Sequence, residues 1–260
     1  MPKHSSTSPH PKPTRSRADE LLVARGLVAS RTQAQALILA GQVRTGPDSV
    51  IAKPRQLLPV DSFLQIAQPP RFVGRGGEKL DAFLEKFSMD VRGMHALDVG
   101  ASTGGFTDCL LQRGAADVAC VDVGHGQLHA KLRNDKRVAN LEKINARELE
   151  KISLPREIYE VVVIDVSFIS LTKILPSAWA RVSDSGKLIA LVKPQFESTK
   201  AEASIGRGII RDTVIHQRVL NNIKNFAAQE LRGAKLFGEM ESSITGGDGN
   251  KEFLVGWEKN

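Results

Sequence analysis

His95-Ala-Leu-Asp98-Val-Gly100-Ala-Ser-Thr-Gly104-Gly105-Phe106, continuing to Gly114, is the stretch whose reading decides the fold. HALDV (95–99) is a short apolar strand pattern, and FTDCLLQRG (106–114) is a helical one closed by glycine. The loop between them carries three glycines, which let backbone approach a ligand, and it opens a helix with free N–H groups. It is neither GxxxxGK[ST], since no lysine follows the glycines, nor GxGxxG. A second strand pattern, DVACVDV (117–123), places Asp122 at its end, 22 residues after Gly100, where an acid accepts from both ribose hydroxyls of a nucleoside. Asp98, just before the loop, suits an amine or hydroxyl donor better than a pyrophosphate. A nucleoside joined to a cationic amino acid, with no phosphate, describes S-adenosylmethionine. The spacing favours it over NAD, and a dinucleotide fold is the other reading.

The alternation continues outward. GQLHAKLRN (126–134) reads as a helix, VANLEKI (138–144) and EVVVIDV (160–166) as strands, and SLTKILPSAWARV (170–182) as helical. KLIALVK (187–193) is a strand, a long helix covers 213–230, and strands lie near 234–240 and at 252–259. The predicted class is α/β: a mostly parallel, Rossmann-like sheet with helices on both faces. Before it, 17–67 reads as a small α/β unit: helices at 17–26 and 30–41, Ser30 as N-cap, and short strands QVRT, SVIAKP and SFLQI with a turn at Gly46-Pro47-Asp48. Residues 68–78 read as a linker and 79–260 as the second domain. A chain of 260 residues accommodates both.

Charge follows the same division. Residues 1–75 hold 11 Lys/Arg and 4 Asp/Glu, which is the whole net charge of +7, while 76–260 balance at 25 and 25. A basic module beside a neutral one points to a polyanionic partner such as nucleic acid. Apolar residues at 41% support an ordinary core, and no apolar run approaches a membrane span. The N-terminus has no secretory h-region. Residues 1–16 are basic and Ser-rich, but Pro2, Pro9, Pro11 and Pro13 break any transit-peptide helix, so a disordered basic arm is expected. Cys109 and Cys120 form no C-x-x-C pair, which suits a reducing cytoplasm.

Two resemblances follow. Arg17-x-Asp19-x-x-Leu22, Ser30-Arg31-x-x-Ala34, Gly41-x-Val43 and Lys53-Pro54 resemble the S4 RNA-binding domain over about 50 residues. That implies an RNA-facing surface lined by Arg17, Arg31, Gln33, Arg44 and Lys53, where cations displace counterions from phosphate. GRGGEKL (74–80), DVGASTGGFTDCLL (98–111), VDVGHGQL (121–128), Asn145-x-Arg147, DVSFISL (165–171), LVKPQFE (191–197), GRGIIRD (206–212) and GDGNKEF (247–253) resemble the FtsJ-like ribose 2′-O-methyltransferases. With the S4-like module, the chain resembles the TlyA family of ribosomal RNA methyltransferases, historically labelled hemolysins. Gly74, often Ser there, and His125, often aromatic, are departures outside the catalytic positions.

The resemblance implies methyl transfer from S-adenosylmethionine to a ribose 2′-hydroxyl of ribosomal RNA, cytidine by family, with ribosomal subunits or their RNA as partner. It implies a cofactor set of Asp98, Gly100, Ser102, Thr103, Gly104, Gly105, Phe106, Asp122, Val123, Asn145 and Asp165, and a catalytic tetrad of Lys79, Asp165, Lys193 and Glu252. A 2′-hydroxyl is a poor nucleophile, so Lys193 is expected to act as base or to polarise the oxygen. Asp165 and Glu252 would orient it, and Lys79 would complete the electrostatics. Each of these alone reads as a surface ion pair; together, in these motifs, they read as a site. His125 and His129 are four apart but lack the Glu of H-E-x-x-H and a third ligand, so no metal is expected. Phe168 and Phe196 are core candidates or stacking partners for an unstacked base. A non-catalytic RNA-binding or assembly factor and a membrane-active hemolysin are the alternatives. The absence of a membrane span and of a basic amphipathic helix with aromatics opposes the latter.

Overall fold

The computed structural model describes residues 14–260 except 48, 68, 69 and 247. Two compact units meet in sequence after Pro70. The first contains β1 (Arg15–Arg17), α1 (Ala18–Ala24), α2 (Arg31–Leu39), β2 (Val43–Gly46), β3 (Ser49–Val50), β4 (Leu57–Pro59) and β5 (Gln65–Ile66). Ser30 caps α2, its hydroxyl accepting from Gln33 N at 3.2 Å. A core of Leu21, Leu22, Val28, Ala34, Ile38, Val43 and Ile51 holds the unit together. Arg15 and Ser16, expected in the basic arm, instead form β1, which pairs antiparallel with β4. Leu58, buried in that core, anchors β4 and so gives β1 a partner. Residues 1–13 of the expected arm, Asp48 of the expected turn and residues 68 and 69 of the expected linker lie outside the described residues.

The second unit opens with α3 (Gly76–Lys86), so Gly76, Gly77 and Glu78 are helix rather than linker. Phe72, 2% exposed, lies against Gly77 and fixes that entry. There follow β6 (His95–Val99), α4 (Gly105–Gln112), β7 (Asp117–Asp122), α5 (Ala130–Arg133), β8 (Val138–Glu142), β9 (Tyr159–Ile164), α6 (Leu175–Trp179) and β10 (Val182–Val192). Then come α7 (Pro194–Glu197), α8 (Lys200–Ile205), α9 (Thr213–Glu230), β11 (Ala234–Glu241) and β12 (Phe253–Lys259). The helix expected over 126–134 shrinks to α5, because Gly126 takes a left-handed φ of 69°. The helix expected over 170–182 splits into a 3-10 turn, Leu171–Lys173, and α6, with Pro176 in the first turn of α6.

Seven strands run in the order β11-β12-β10-β9-β6-β7-β8. From β8 to β10 all pairings are parallel, and β12 runs antiparallel to both its neighbours. Successive strand residues alternate between two cores. Val161 and Val163 face the side covered by α3 and α4, and Val162 and Ile164 face the side covered by α6 and α9. A strand buried on both faces must be apolar there, hence the unbroken Val161–Ile164 run. The chain leaves β6 toward β7 and β8, then returns to β9 on the other side of β6. That reversal opens a crevice beyond the carboxyl ends of β6 and β9, where open α/β sheets bind ligands.

Candidate active site

Gly100 stands where the crevice begins. Its φ is 87°, and a Cβ there would lie 2.4 Å from the Asp165 carbonyl oxygen, so only glycine lets the two strand ends approach this closely. The other loop glycines serve packing. A Cβ on Gly104 would meet Leu132 at 2.2 Å, and one on Gly105 would meet Gly77 N at 2.9 Å. Gly104, expected in the cofactor set, therefore lies against α5 and lines neither recess of the site. Gly74 is also tight, since a Cβ would stand 2.6 Å from Thr103 Oγ1.

Asp98 is fully buried. Its Oδ2 accepts from Thr107 N (3.0 Å) and Thr107 Oγ1 (2.6 Å), while its Oδ1 is buried without a hydrogen-bond partner among the described residues. Burial pushes this carboxyl up to about 7, the charges of Asp165 and Asp122 push the same way, and the Thr107 bonds oppose them. A recess of about 170 Å³ is lined by Asp98, Gly105, Phe106, Asp165, Ser167 and Lys193 among others, with Ser102 and Thr103 on its wall. It shares Gly100, Ser102, Asp165 and Ser167 with a larger cleft of about 600 Å³. Asp122, Val123 and Asn145 line that larger cleft. Asp122 is held in place by two backbone donors, Ser102 N at 2.8 Å and Gly124 N at 2.6 Å. Asn145 Oδ1 accepts from Arg147 N at 3.2 Å. An orphaned acceptor at one end and a fixed carboxylate at the other fit a ligand with an ammonium group and a ribose.

The four expected catalytic residues form two ion pairs. Lys193, just after β10, reaches Asp165, just after β9, with Nζ 2.5 Å from Oδ1, and also donates to Ser167 Oγ at 3.0 Å. Lys79, in the first turn of α3, pairs with Glu252, just before β12, and both are buried, at 6% and 3% exposure. Glu252 therefore does not orient Lys193 as expected; Lys79 takes it. A buried ammonium left alone is costly, and Glu252 is the carboxylate that compensates it. The strand register Val192↔Phe253 sets Lys193 beside Glu252 along the backbone, so the two pairs occupy one end of the sheet.

Phe168 is 90% exposed, with a left-handed φ of 64°, and its ring lies 4.9 Å from that of Phe196. Exposure of this kind corrects the core reading for Phe168. Sequence reasoning missed two residues that hold this region. Ser167 engages Lys193, and Glu197 binds across from α7, its Oε2 accepting from Ser170 Oγ (2.6 Å) and its Oε1 from Leu171 N (2.7 Å). Burial pushes the Glu197 carboxyl upward against those two bonds. Both residues stand inside motifs of the sequence, but only contact distinguishes them from their neighbours.

In the first unit, Asp19 is fully buried and accepts from Arg17 (2.7 Å), Arg31 (3.1 Å) and Gln35 (2.9 Å), so two expected RNA-facing arginines share one carboxylate. Arg17 and Lys53, with Arg55, border a recess of about 310 Å³. Gln33 accepts from Ala29 N, and Arg44 donates to the Pro47 carbonyl. His125 contacts Glu142, and His129 caps α5. Among the described residues no group of three or more His, Cys, Asp or Glu is placed to hold a metal, and no helix is long and apolar enough to cross a membrane.

Residues 72–259 match the family described as FtsJ-like methyltransferase. The chain is 41% identical over 241 residues to Hemolysin A of Brachyspira hyodysenteriae, covering 92% of this chain and 98% of that one. It is 40% identical over 242 residues to the 16S/23S rRNA (cytidine-2′-O)-methyltransferase TlyA of Mycobacterium tuberculosis, covering 93% and 89%. A solved structure from Streptococcus thermophilus, described as a hemolysin, superposes with a TM-score of 0.71 at 41% identity, over 95% of this chain and 89% of that one.

Proposed function

Because the chain belongs to the FtsJ-like methyltransferase family, we propose that it transfers a methyl group from S-adenosylmethionine to the ribose 2′-hydroxyl of a cytidine in ribosomal RNA. The observation that carries this reading is the meeting, in one recess beyond β6, β9 and β10, of the unpartnered Asp98 Oδ1 with the Lys193–Asp165 pair. One end suits a cationic amino acid and the other suits a hydroxyl to be activated.

Bound there, S-adenosylmethionine supplies a sulfonium-activated methyl group. Asp98 accepts from the ammonium of its amino-acid portion, and Asp122 accepts from the ribose hydroxyls. Gly100, Ser102, Thr103, Gly105 and Phe106 form the wall between them, and Val123 and Asn145 the adenosine side. Lys193 has three N–H donors. Ser167 takes one and Asp165 stands beside the ammonium as its counter-ion, which leaves a donor for the substrate 2′-oxygen, whose growing negative charge it stabilises as the hydroxyl proton passes to solvent. Lys79 and Glu252 keep the adjoining strand and helix together without a net buried charge. Phe168, held against Phe196, offers a face on which the target base stacks. Arg17, Arg31, Arg44 and Lys53 give the first unit, read as an S4-like domain, its attraction for RNA phosphate, with Gln33 on the same helix as Arg31. An rRNA substrate puts the protein in the cytoplasm.

The test is direct. The purified protein, deproteinised ribosomal RNA and methyl-labelled S-adenosylmethionine are incubated, and nucleosides are resolved by mass spectrometry. Label in 2′-O-methylcytidine is expected. Label on a base instead, or none with intact cofactor binding, overturns the reading, and the latter outcome leaves a non-catalytic RNA-binding factor.

A further inference from the structure

The chain rises from Lys193 through α7 and α8, then turns sharply at Gly206–Ile210 before α9. This turn is pinned from beneath. Asn250, 1% exposed, accepts from Ile210 N at 2.9 Å and donates to the Gly208 carbonyl at 2.9 Å. The ring of His216, 4% exposed, bonds the Ile210 carbonyl at 2.9 Å. Asn250 stands two residues before Glu252, and Phe253 pairs with Val192, so the turn is fastened at the end of the sheet that carries Lys193 and Glu252.

At the apex is Arg207. It is exposed and holds a left-handed φ of 51°, a conformation that a side chain of this size adopts only when its surroundings impose it. The arginines Arg71, Arg113, Arg92, Arg137 and Arg156 are each tied to an aspartate. Arg207 and Arg211, which directly follows the turn, are exposed and, like Arg133 and Arg147, have no carboxylate at ion-pairing distance among the described residues. The nearby acids are already engaged: Glu202 binds Arg218 and caps α8, and Asp212 caps α9. A cation left unpaired on a pinned turn, at the end of the sheet that carries Lys193, is free to meet an anion from outside.

We propose that the Gly206–Ile210 turn is a rigid phosphate clamp, with Arg207 contacting the backbone of the RNA strand beside the nucleotide to be methylated. The inference rests on the RNA substrate proposed above and names a surface for it. Backbone phosphates carry the charge, and a guanidinium matches a phosphate with two parallel bonds. The clamp contributes to RNA affinity and to register and leaves the chemistry to Lys193.

The experiment uses the full-length protein with deproteinised ribosomal RNA, and binding is measured with a fluorescent single-stranded RNA. Arg207→Ala is expected to raise KM for RNA about five- to tenfold with kcat and cofactor affinity unchanged. The plot of log affinity against log salt should lose about 0.7 of slope, one phosphate contact to a single strand. Arg207→Lys, which keeps the charge but not the paired bonds, should recover the salt slope and only part of the KM, and Arg232→Ala, at the opposite end of the sheet beside β11, should behave as wild type. An unchanged KM and salt slope in Arg207→Ala overturns the clamp, and so does a loss confined to kcat. If the wild type itself transfers no methyl group, the catalytic reading fails, and the salt slope alone still decides the clamp.

Discussion

A carboxyl group sealed from water keeps its proton longer than one in solution, and Asp98, held up to about 7 chiefly by its burial, keeps its proton in mildly acidic solution. An arriving ammonium favours the ionised form, so binding must expel that proton. Asp165, Asp122 and Lys193 are the charged groups around it, with Thr107 donating. The sign follows: cofactor affinity falls as pH drops below about 7, by at most about tenfold per unit, and binding releases about half a proton at neutral pH and nearly a whole one in more acidic solution. Calorimetry in two buffers of different ionisation enthalpy measures that release. Asp98→Asn should abolish it, and the same proton count in the variant would remove Asp98 from the ammonium site. Lys193 is tested at the same scale. Lys193→Ala should cut transfer by on the order of 10²–10³-fold with cofactor binding intact. Lys193→Arg keeps the charge but not the fit to one oxygen, and should retain roughly a tenth of the activity. An arginine variant as inactive as the alanine one would show that Lys193 takes the proton instead of stabilising the oxygen.

Two elements owe their placement to one side chain. Glu197 on α7 binds Ser170 and Leu171, which begin the 3-10 turn Leu171–Lys173, and so fixes the segment presenting Ser167 and Phe168. Glu197→Ala leaves the Leu171 N–H without a partner, at a cost of about 1–3 kcal/mol. Thermal melting should fall by several degrees, since a chain this size loses about 2–4 °C per kcal/mol. Methyl transfer should fall as Phe168 loses its support. Glu197→Gln still offers one carbonyl oxygen and should lose less on both counts. Equal damage from the two substitutions would mean that charge, not the pair of hydrogen bonds, holds the turn. Phe168→Leu separates positioning from stacking: it should raise KM for RNA several-fold and leave melting within about a degree, because the ring is 90% exposed.

The two units have separate hydrophobic cores, so each is able to fold on its own. Deleting residues 1–70 should leave a cooperatively melting unit that binds S-adenosylmethionine normally and methylates RNA poorly, with a weaker salt dependence of RNA binding. Equal activity for the truncated and complete chains would make the basic unit dispensable.

What was legible in the sequence was whatever repeats or concentrates. Strand–helix alternation gave the α/β class, glycines after an apolar run marked the loop that opens the crevice, Asp122 stood at a strand end, and the charge excess fell in the first third. These are local signals, written in neighbouring residues. Pairing is not local. That Glu252 compensates Lys79 rather than Lys193, that Gly104 packs against Leu132, and that Glu197 and Asn250 pin turns far from them in sequence depended on which strands became neighbours. The sheet order brought together residues more than 170 positions apart, as with Lys79 and Glu252. Only there does the low-dielectric interior penalise each buried charge and polar group that lacks a partner, a requirement that the linear chain cannot express.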